Sequence, residues 1–359
     1  MCFGSKSFMK IPALPHTASI VRNLPLRILA ALILLSVHPF RAEAQIGIRH
    51  FIFVERERSR IHDPVFLETK QISGAQVKYT WRELEPRKNE YHFETIQEDL
   101  DFLRAHGKAL FVQLQDVSFD SLTILVPQYL RDDSQYNGGA DPQYVFEDTS
   151  ETKYKIDGWV ARRWDPKVAG RFYELLRALG KRFDGKIEGI NLPETAVDFG
   201  DKDRLYPKGF TPQGYRDAIK KAMKVLKESF PVSVTIIYAN FMPGEWLPGT
   251  DHHYLRDVYE YAREINVGTG GPDLLVYKQS QMNHSYRLIR HCDGIVPTGV
   301  AVQWGNYEHI NPQTGRRVTV PEIYDFGKNY LKLRYIFWCT QEPFYSRDLV
   351  PFLRSGPGN

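Results

Sequence analysis

Short apolar segments alternate along this chain with segments of helical periodicity, and this alternation is the feature that most constrains the fold. Eight apolar segments, rich in β-branched and aromatic residues, are predicted as strands: 46–54, 74–81, 109–114, 186–192, 233–239, 274–277, 300–303 and 335–339. Between strands the apolar residues recur every three or four positions, as they do from Phe93 to Leu103. Such strand–helix–strand units are the connections that parallel sheets require.

Eight strand–helix repeats predict an α/β fold of the (β/α)8 TIM-barrel class over residues 45–359. A barrel of this class takes about 250 residues or more, so a chain of 359 accommodates it without a second core. A doubly wound open sheet is the alternative, but no glycine-rich phosphate loop follows the first strand. Residues 116–164 show no strong periodicity and are rich in Tyr and Trp, which predicts a long loop after strand three.

The first 44 residues have the pattern of a secretory signal peptide. Basic residues precede an apolar run at 28–37, and the small residues Ala42 and Ala44 predict cleavage before Gln45. The apolar run is too short to span a bilayer, and an uncleaved membrane anchor is the alternative. We therefore expect a secreted or periplasmic protein with no membrane association after cleavage.

Composition gives no indication of a nucleic-acid partner once the predicted signal peptide is removed. The first 44 positions hold five of the 47 basic residues and one of the 43 acidic residues, which leaves 42 of each. A chain without net charge lacks the basic excess that nucleic acid or an anionic membrane attracts. Cys292 and Cys339 remain, and the sequence leaves open whether they pair or are buried as free thiols.

The carboxyl ends of the predicted strands carry the candidate binding residues, because the loops of a parallel barrel converge at that end. Aromatic rings stack on the apolar faces of sugars, and amides both donate hydrogen bonds to hydroxyl groups and accept them. These chemistries predict a carbohydrate-binding cleft lined by Trp81, Gln115, Asn191, Asn240, Gln303, Trp304 and Trp338. For any one Trp, burial in the core is the alternative.

The segment from Gln76 to Phe93 carries a motif that resembles a known family. It reads Gln-Val-Lys-Tyr-Thr-Trp-Arg-Glu-Leu-Glu-Pro and continues, after two residues, as Asn-Glu-Tyr-His-Phe. This resembles the strand, Trp, Glu-Pro and Tyr-x-Phe signature of the retaining glycoside hydrolase superfamily with (β/α)8 barrels, which includes cellulases, mannanases and β-galactosidases. The resemblance implies an oligosaccharide or polysaccharide substrate, and we expect no cofactor.

The resemblance also implies two catalytic glutamates, an acid/base after strand four and a nucleophile at the end of strand seven. Pro193 cannot donate to a sheet ladder, so strand four is predicted to end near Leu192 and to leave Glu194 at its tip. Glu194 matches the acid/base by position, although the family places an Asn directly before this Glu and here Leu192 and Pro193 separate it from Asn191. At strand seven, Gln303 occupies the nucleophile position, and an amide is no carboxylate nucleophile.

The identity of the second carboxylate is therefore open. Glu308, five residues after Gln303, is the leading candidate, and Glu245 and Glu342 are the alternatives. Glycoside hydrolysis needs a protonated carboxyl group at the leaving oxygen and an ionised one that attacks or activates water. The sequence thus predicts a secreted glycoside hydrolase that uses Glu194 and Glu308.

Two other functions compete with this prediction. Because Gln303 replaces a catalytic carboxylate, a barrel that binds carbohydrate without cleaving it is the main alternative. A metal-assisted hydrolase is the other, but the histidines lack the spacing of a metal site; they are His50, His62, His252 and His253. We therefore predict no metal ion.

Overall fold

The computed structural model describes residues 47–201 and 203–356, so the predicted signal peptide at 1–44 lies outside the described residues. Eight parallel strands form a closed barrel in chain order, with β1 hydrogen-bonded to both β2 and β8. The strands are β1 (Arg49–Phe53), β2 (Ile72–Thr80), β3 (Ala109–Gln115), β4 (Gly189–Leu192), β5 (Val234–Tyr238), β6 (Gly268–Gly271), β7 (Thr298–Val302) and β8 (Tyr335–Cys339). The predicted (β/α)8 barrel is confirmed.

Helices connect the strands and pack on the outer face of the barrel. Their bounds are α1 (Pro64–Glu68), α2 (Trp81–Leu84), α3 (Glu94–Ala105), α4 (Gln128–Asp132), α5 (Pro166–Phe183), α6 (Pro212–Ser229), α7 (Tyr254–Glu264), α8 (Gln279–Asn283), α9 (Ser285–Arg290), α10 (Val320–Asp325) and α11 (Val350–Arg354). The two longest, α5 and α6, begin where the sequence places a capping side chain before a proline. Asp165 accepts hydrogen bonds from the first turn of α5, and Thr211 does so for α6. Among the described residues, no helix combines the length and the apolar character needed to cross a membrane.

Strand six lies elsewhere than predicted. The apolar run 274–277 was expected to form it, but β6 is the preceding segment Gly268–Gly271, which reads Gly-Thr-Gly-Gly. A Cβ atom on Gly270 would lie 1.8 Å from the carbonyl oxygen of Gly299 on β7, so the close approach of the two strands requires glycine there. As a consequence, Asp273 follows the strand at its carboxyl end.

Side chains alternate along each strand between the barrel interior and the helix layer. The interior cluster consists of Phe51, Phe53, Phe111, Ile236, Tyr238, Ala301, Tyr335 and Phe337. Because Phe337 points inward, its neighbour Trp338 points outward, where it is fully buried and donates a hydrogen bond from Nε1 to Nδ1 of His50 at 3.0 Å. The prediction that Trp338 binds sugar is wrong for this reason.

The insertion after β3 is in the predicted place but is not irregular. Its strands Ala140–Phe146 and Tyr154–Ala161 pair antiparallel, and Val117–Ser118 adds a third strand. Most residues of the first two strands are exposed or half-buried on both faces, so their sequence lacks the apolar–polar alternation that marks a strand.

Cys292 and Cys339 are both buried and free, which answers the question of their pairing.

Candidate active site

Glu194 lies two residues after β4, at the carboxyl end of the barrel, and is half-buried. Nδ2 of Asn240, two residues after β5, donates a hydrogen bond to Oε2 of Glu194 at 2.7 Å. Oδ1 of Asn240 accepts from the backbone N–H of Ala196 at 3.2 Å, which directs the amino group of Asn240 at the carboxylate. Glu194 and Asn240 therefore lie at the carboxyl ends of the neighbouring strands β4 and β5.

The environment of Glu194 favours its protonated form. Burial raises the pKa of Glu194 to about 7; the hydrogen bond from Asn240 opposes this shift and the negative charge of Asp273 adds to it. The positive charges of Lys78 and Arg163 oppose it more weakly. A carboxyl group that exchanges its proton near neutral pH is suited to general acid catalysis.

The backbone at Glu194 is held by a buried ion pair. Arg163, at the end of the insertion, donates from Nη1 to the carbonyl oxygen of Glu194 at 2.9 Å. Its guanidinium also bonds both carboxylate oxygens of Asp116, which directly follows β3, and the hydroxyl of Tyr215 on α6. Arg163 therefore joins three segments at the place where the carboxyl group must be positioned.

Asp273 is the second carboxylate at this end of the barrel, two residues after β6. Oδ1 of Asp273 accepts from Nδ2 of Asn306 at 3.0 Å and from Nε2 of Gln303 at 3.5 Å. Oδ1 of Asn306 accepts in turn from the backbone N–H groups of Leu274 and Gln303, which fixes the orientation of the Asn306 amide. Burial raises the pKa of Asp273, and the two amide bonds and the charge of Lys78 oppose that shift.

Lys78 on β2 is the cation that the acidic groups share. Its ammonium group lies 4.9 Å from the centre of the Phe53 ring, at the carboxyl end of the interior cluster. Burial lowers the pKa of Lys78, and the charges of Glu55 and Glu194 oppose that shift. Three carboxyl groups and one lysine thus surround the end of the barrel.

The other predicted binding residues divide between the site and the core. Trp304 is 67% exposed and Gln303 is half-buried, so both are accessible after β7. Gln115 is buried at the end of β3, and Asn191 is fully buried, with Oδ1 accepting from Nε2 of Gln76 inside the barrel. These two residues therefore lie beneath the surface that a ligand meets.

Trp81 does not line a cleft, and its prediction as a sugar-binding residue is wrong. It begins α2, is fully buried, and packs edge-on against Phe172 of α5 at 5.1 Å. Its Nε1 donates to Oε2 of Glu85, and Arg171 of α5 binds the other oxygen of Glu85. The Trp and Glu of the family-like motif therefore brace two helices against the barrel.

The structure does not bring the three sequence candidates for the second carboxylate to Glu194. Glu308 is exposed and accepts from Nε2 of Gln341 at 2.7 Å, and Glu342 is exposed and bonds Ser346 on the next turn. Glu245 accepts hydrogen bonds from the backbone N–H groups of His252, Tyr254 and Leu255, and so satisfies donors at the start of α7. The charge of Asp273 is among the main causes of the raised pKa of Glu194, and the charges of these three glutamates are not.

Asp273 was missed because strand six was placed after it. The signal that would have found it is the cluster Gly268, Gly270 and Gly271, since glycine in a strand marks a close approach of backbones. Within 47–201 and 203–356, no group of three or more His, Cys, Asp or Glu side chains could hold a metal ion.

No protein-family model matches this chain, and no curated protein matches its sequence. Among solved structures it is similar to the catalytic domain of β-amylase from Paenibacillus polymyxa, with a TM-score of 0.52 and 10% identity over 82% of this chain and 93% of that chain. It is also similar to xylanase 10B from Thermotoga petrophila in complex with xylobiose, with a TM-score of 0.47 and 11% identity over 82% and 83% of the chains. The β-amylase likeness shows the (β/α)8 fold that the motif from Gln76 to Phe93 implied.

Proposed function

We propose that this protein is a glycoside hydrolase in which Glu194 is the general acid. The observation that carries the proposal is a half-buried carboxyl group with a pKa of about 7 at the carboxyl end of the barrel, held by Asn240. The β-amylase catalytic domain, a hydrolase of glycosidic bonds, has the same fold. The substrate is an oligosaccharide or polysaccharide, and the accessible Trp304 offers a ring for a sugar face.

In the proposed reaction, the carboxyl group of Glu194 donates its proton to the oxygen of the leaving sugar as the bond from that oxygen to the anomeric carbon breaks. The electron pair of that bond stays on the leaving oxygen. A second, ionised carboxylate supports the addition of water at the anomeric carbon. Release of reducing ends from a panel of glycans, compared between wild type and a Glu194 variant, tests the proposal.

Activity is expected to fall as the pH rises through about 7. Glu194 must be protonated to act, so kcat/KM is retained below the pKa of Glu194 and lost above it. Because the hydrogen bond from Asn240 lowers that pKa, Asn240→Leu should move the basic limb of the pH profile to higher pH. Asn283→Leu on α8, where Asn283 bonds Gln279 of the same helix, is the matched control. A basic limb that stays in place in Asn240→Leu contradicts the assignment.

Secretion is part of the proposal and rests on the N-terminal sequence pattern alone. The protein isolated from the producing cell should begin at Gln45 and appear in the periplasm or the medium. Peptide mass spectrometry of the N-terminus decides this, and a protein that retains residues 1–44 in the cytoplasm contradicts it.

A carbohydrate-binding barrel without turnover is the second candidate, and Gln303 favours it, because the strand-seven position holds an amide. In that case wild type and Glu194→Gln would bind the same glycan with equal affinity, and neither would release sugar. Calorimetric titration alongside the reducing-end assay separates the two functions.

A further inference from the structure

We propose that Asp273, at the end of β6, is the second catalytic carboxylate, paired with Glu194 across the barrel end. This inference rests on the proposed function and names the residue that the sequence left open. It moves the ionised carboxylate from strand seven, where Gln303 stands, to the neighbouring strand.

The barrel topology places the two carboxyl-bearing strand ends two positions apart around the barrel. β5 alone lies between β4 and β6, and neighbouring strands are about 4.8 Å apart, so the two strand ends are roughly 10 Å apart. Both side chains lie at the same end of the barrel, and the charge of Asp273 acts on Glu194. Two-carboxylate glycosidases hold their acidic groups about 5–9.5 Å apart, and side chains that extend from strand ends roughly 10 Å apart can reach such a separation.

The hydrogen bonds around Asp273 hold its carboxyl group in a fixed orientation. The Asn306 amide cannot rotate freely, since its oxygen is occupied by two backbone N–H groups, and its amino group must therefore face Asp273. In the described part of the chain, both amide bonds go to Oδ1, so Oδ2 is the oxygen available to react. Lys78 supplies a positive charge to the same carboxylate.

Gln303 and Asp273 are complementary. An amide at position 303 donates to Asp273, whereas a glutamate there would place a second negative charge against it and favour protonation. Gln303, whose amide cannot act as a nucleophile itself, is thereby a positioning residue for the Asp273 carboxylate on β6.

In the reaction, Oδ2 of Asp273 provides an electron pair while Glu194 protonates the leaving oxygen. That pair either forms a bond to the anomeric carbon, giving a glycosyl ester that water then cleaves, or takes a proton from the water that attacks. In both routes one water is consumed and one glycosidic bond is replaced by two hydroxyl groups. In the first route, ionised Glu194 takes a proton from the water that cleaves the ester, which restores Glu194 as the acid and releases Asp273 as the carboxylate. In the second route, Asp273 passes the proton that it took from water to the solvent, and Glu194 takes a proton from the solvent.

Asp273→Asn tests the inference in the full-length protein. We expect kcat to fall by about 10²–10⁴-fold with little change in KM, because the amide keeps the shape of the side chain and removes the reactive oxygen. Asp325→Asn, the same change on an exposed residue of α10, is the matched control. Thermal melting and glycan binding, measured on each variant, show whether the protein is folded.

Asp273→Ala in the presence of sodium azide gives a second readout that a structural role would not produce. The azide ion fits the vacated space and attacks the anomeric carbon, so turnover should return with glycosyl azide and the free leaving sugar as products. If Asp273→Asn and Asp273→Ala keep the wild-type kcat while Glu194→Gln loses it, the inference falls and the proposed hydrolase stands. If wild type cleaves no glycan, both fall.

Discussion

Glu194→Gln is expected to lower kcat/KM for an ordinary glycoside by about 10²–10⁴-fold, because an amide cannot deliver the proton that the leaving oxygen needs. The Gln side chain is close in size to Glu and can still accept the hydrogen bond from Asn240, so the fold and the glycan affinity should be kept. The measurement is initial-rate kinetics with a glycan identified by the screen.

A substrate with a strongly acidic leaving group distinguishes loss of the acid from general damage. A dinitrophenyl glycoside departs without protonation, so Glu194→Gln should lose much less activity on it than on an alkyl glycoside. Glu174→Gln, on the exposed face of α5, is the matched control and should behave as wild type on both. Equal losses on the two substrates would show that Glu194 is not the proton donor.

The barrel could be predicted from the sequence because seven of its eight strands are apolar segments that one sequence is enough to identify. β8 reads Tyr-Ile-Phe-Trp-Cys and is buried on both faces, which is typical of a parallel strand. β6 is the exception, since its glycines contribute backbone and almost no side chain, and no hydrophobic pattern marks such a strand. The error at β6 affects the site, because a strand at 274–277 would begin after Asp273, whereas Asp273 follows β6 at its carboxyl end.

The site could be predicted in part, because the local sequence sets the position of some residues and tertiary packing sets that of others. The position of Glu194 at a strand end could be predicted because Pro193 ends the strand after Leu192. Trp338 was assigned to the wrong face of β8, where alternate residues point inward and outward. Trp81 begins a helix and is buried, although the sequence placed it at an accessible strand end. These positions depend on tertiary packing, as do the hydrogen bonds that Glu245 accepts from the backbone N–H groups of Tyr254 and Leu255 in α7 and of His252 before it.

The family-like motif shows that two proteins can share a fold without sharing the residues of the site. Trp81, Glu85 and Arg171 form a buried brace between α2 and α5, and none of them is accessible to a ligand. A chain can therefore keep this motif as a requirement of packing while the carboxylates at the strand ends change. The proposed use of Asp273 on β6, with an amide at the end of β7, would be an arrangement of that kind.

Asp116→Ala is expected to be the most destabilising change near the site. The Asp116 and Arg163 side chains are 2% and 10% exposed, and removal of the carboxylate leaves a buried guanidinium without its counter-ion. Breaking a buried pair in this way costs about 3–5 kcal/mol of unfolding free energy. Denaturant unfolding measures it, with Glu174→Ala as the control, since the exposed Glu174–Arg177 pair contributes at most about 1 kcal/mol.

The consequence for activity follows from the hydrogen bond that Arg163 donates to the carbonyl oxygen of Glu194. Without Asp116 the guanidinium can turn away, so the Asp116→Ala protein that remains folded should have a lower kcat than wild type. Positioning errors of about 1 Å cost enzymes on the order of 10²-fold in rate. A variant that loses stability but keeps the wild-type kcat would show that the ion pair supports the loop and not the orientation of the acid.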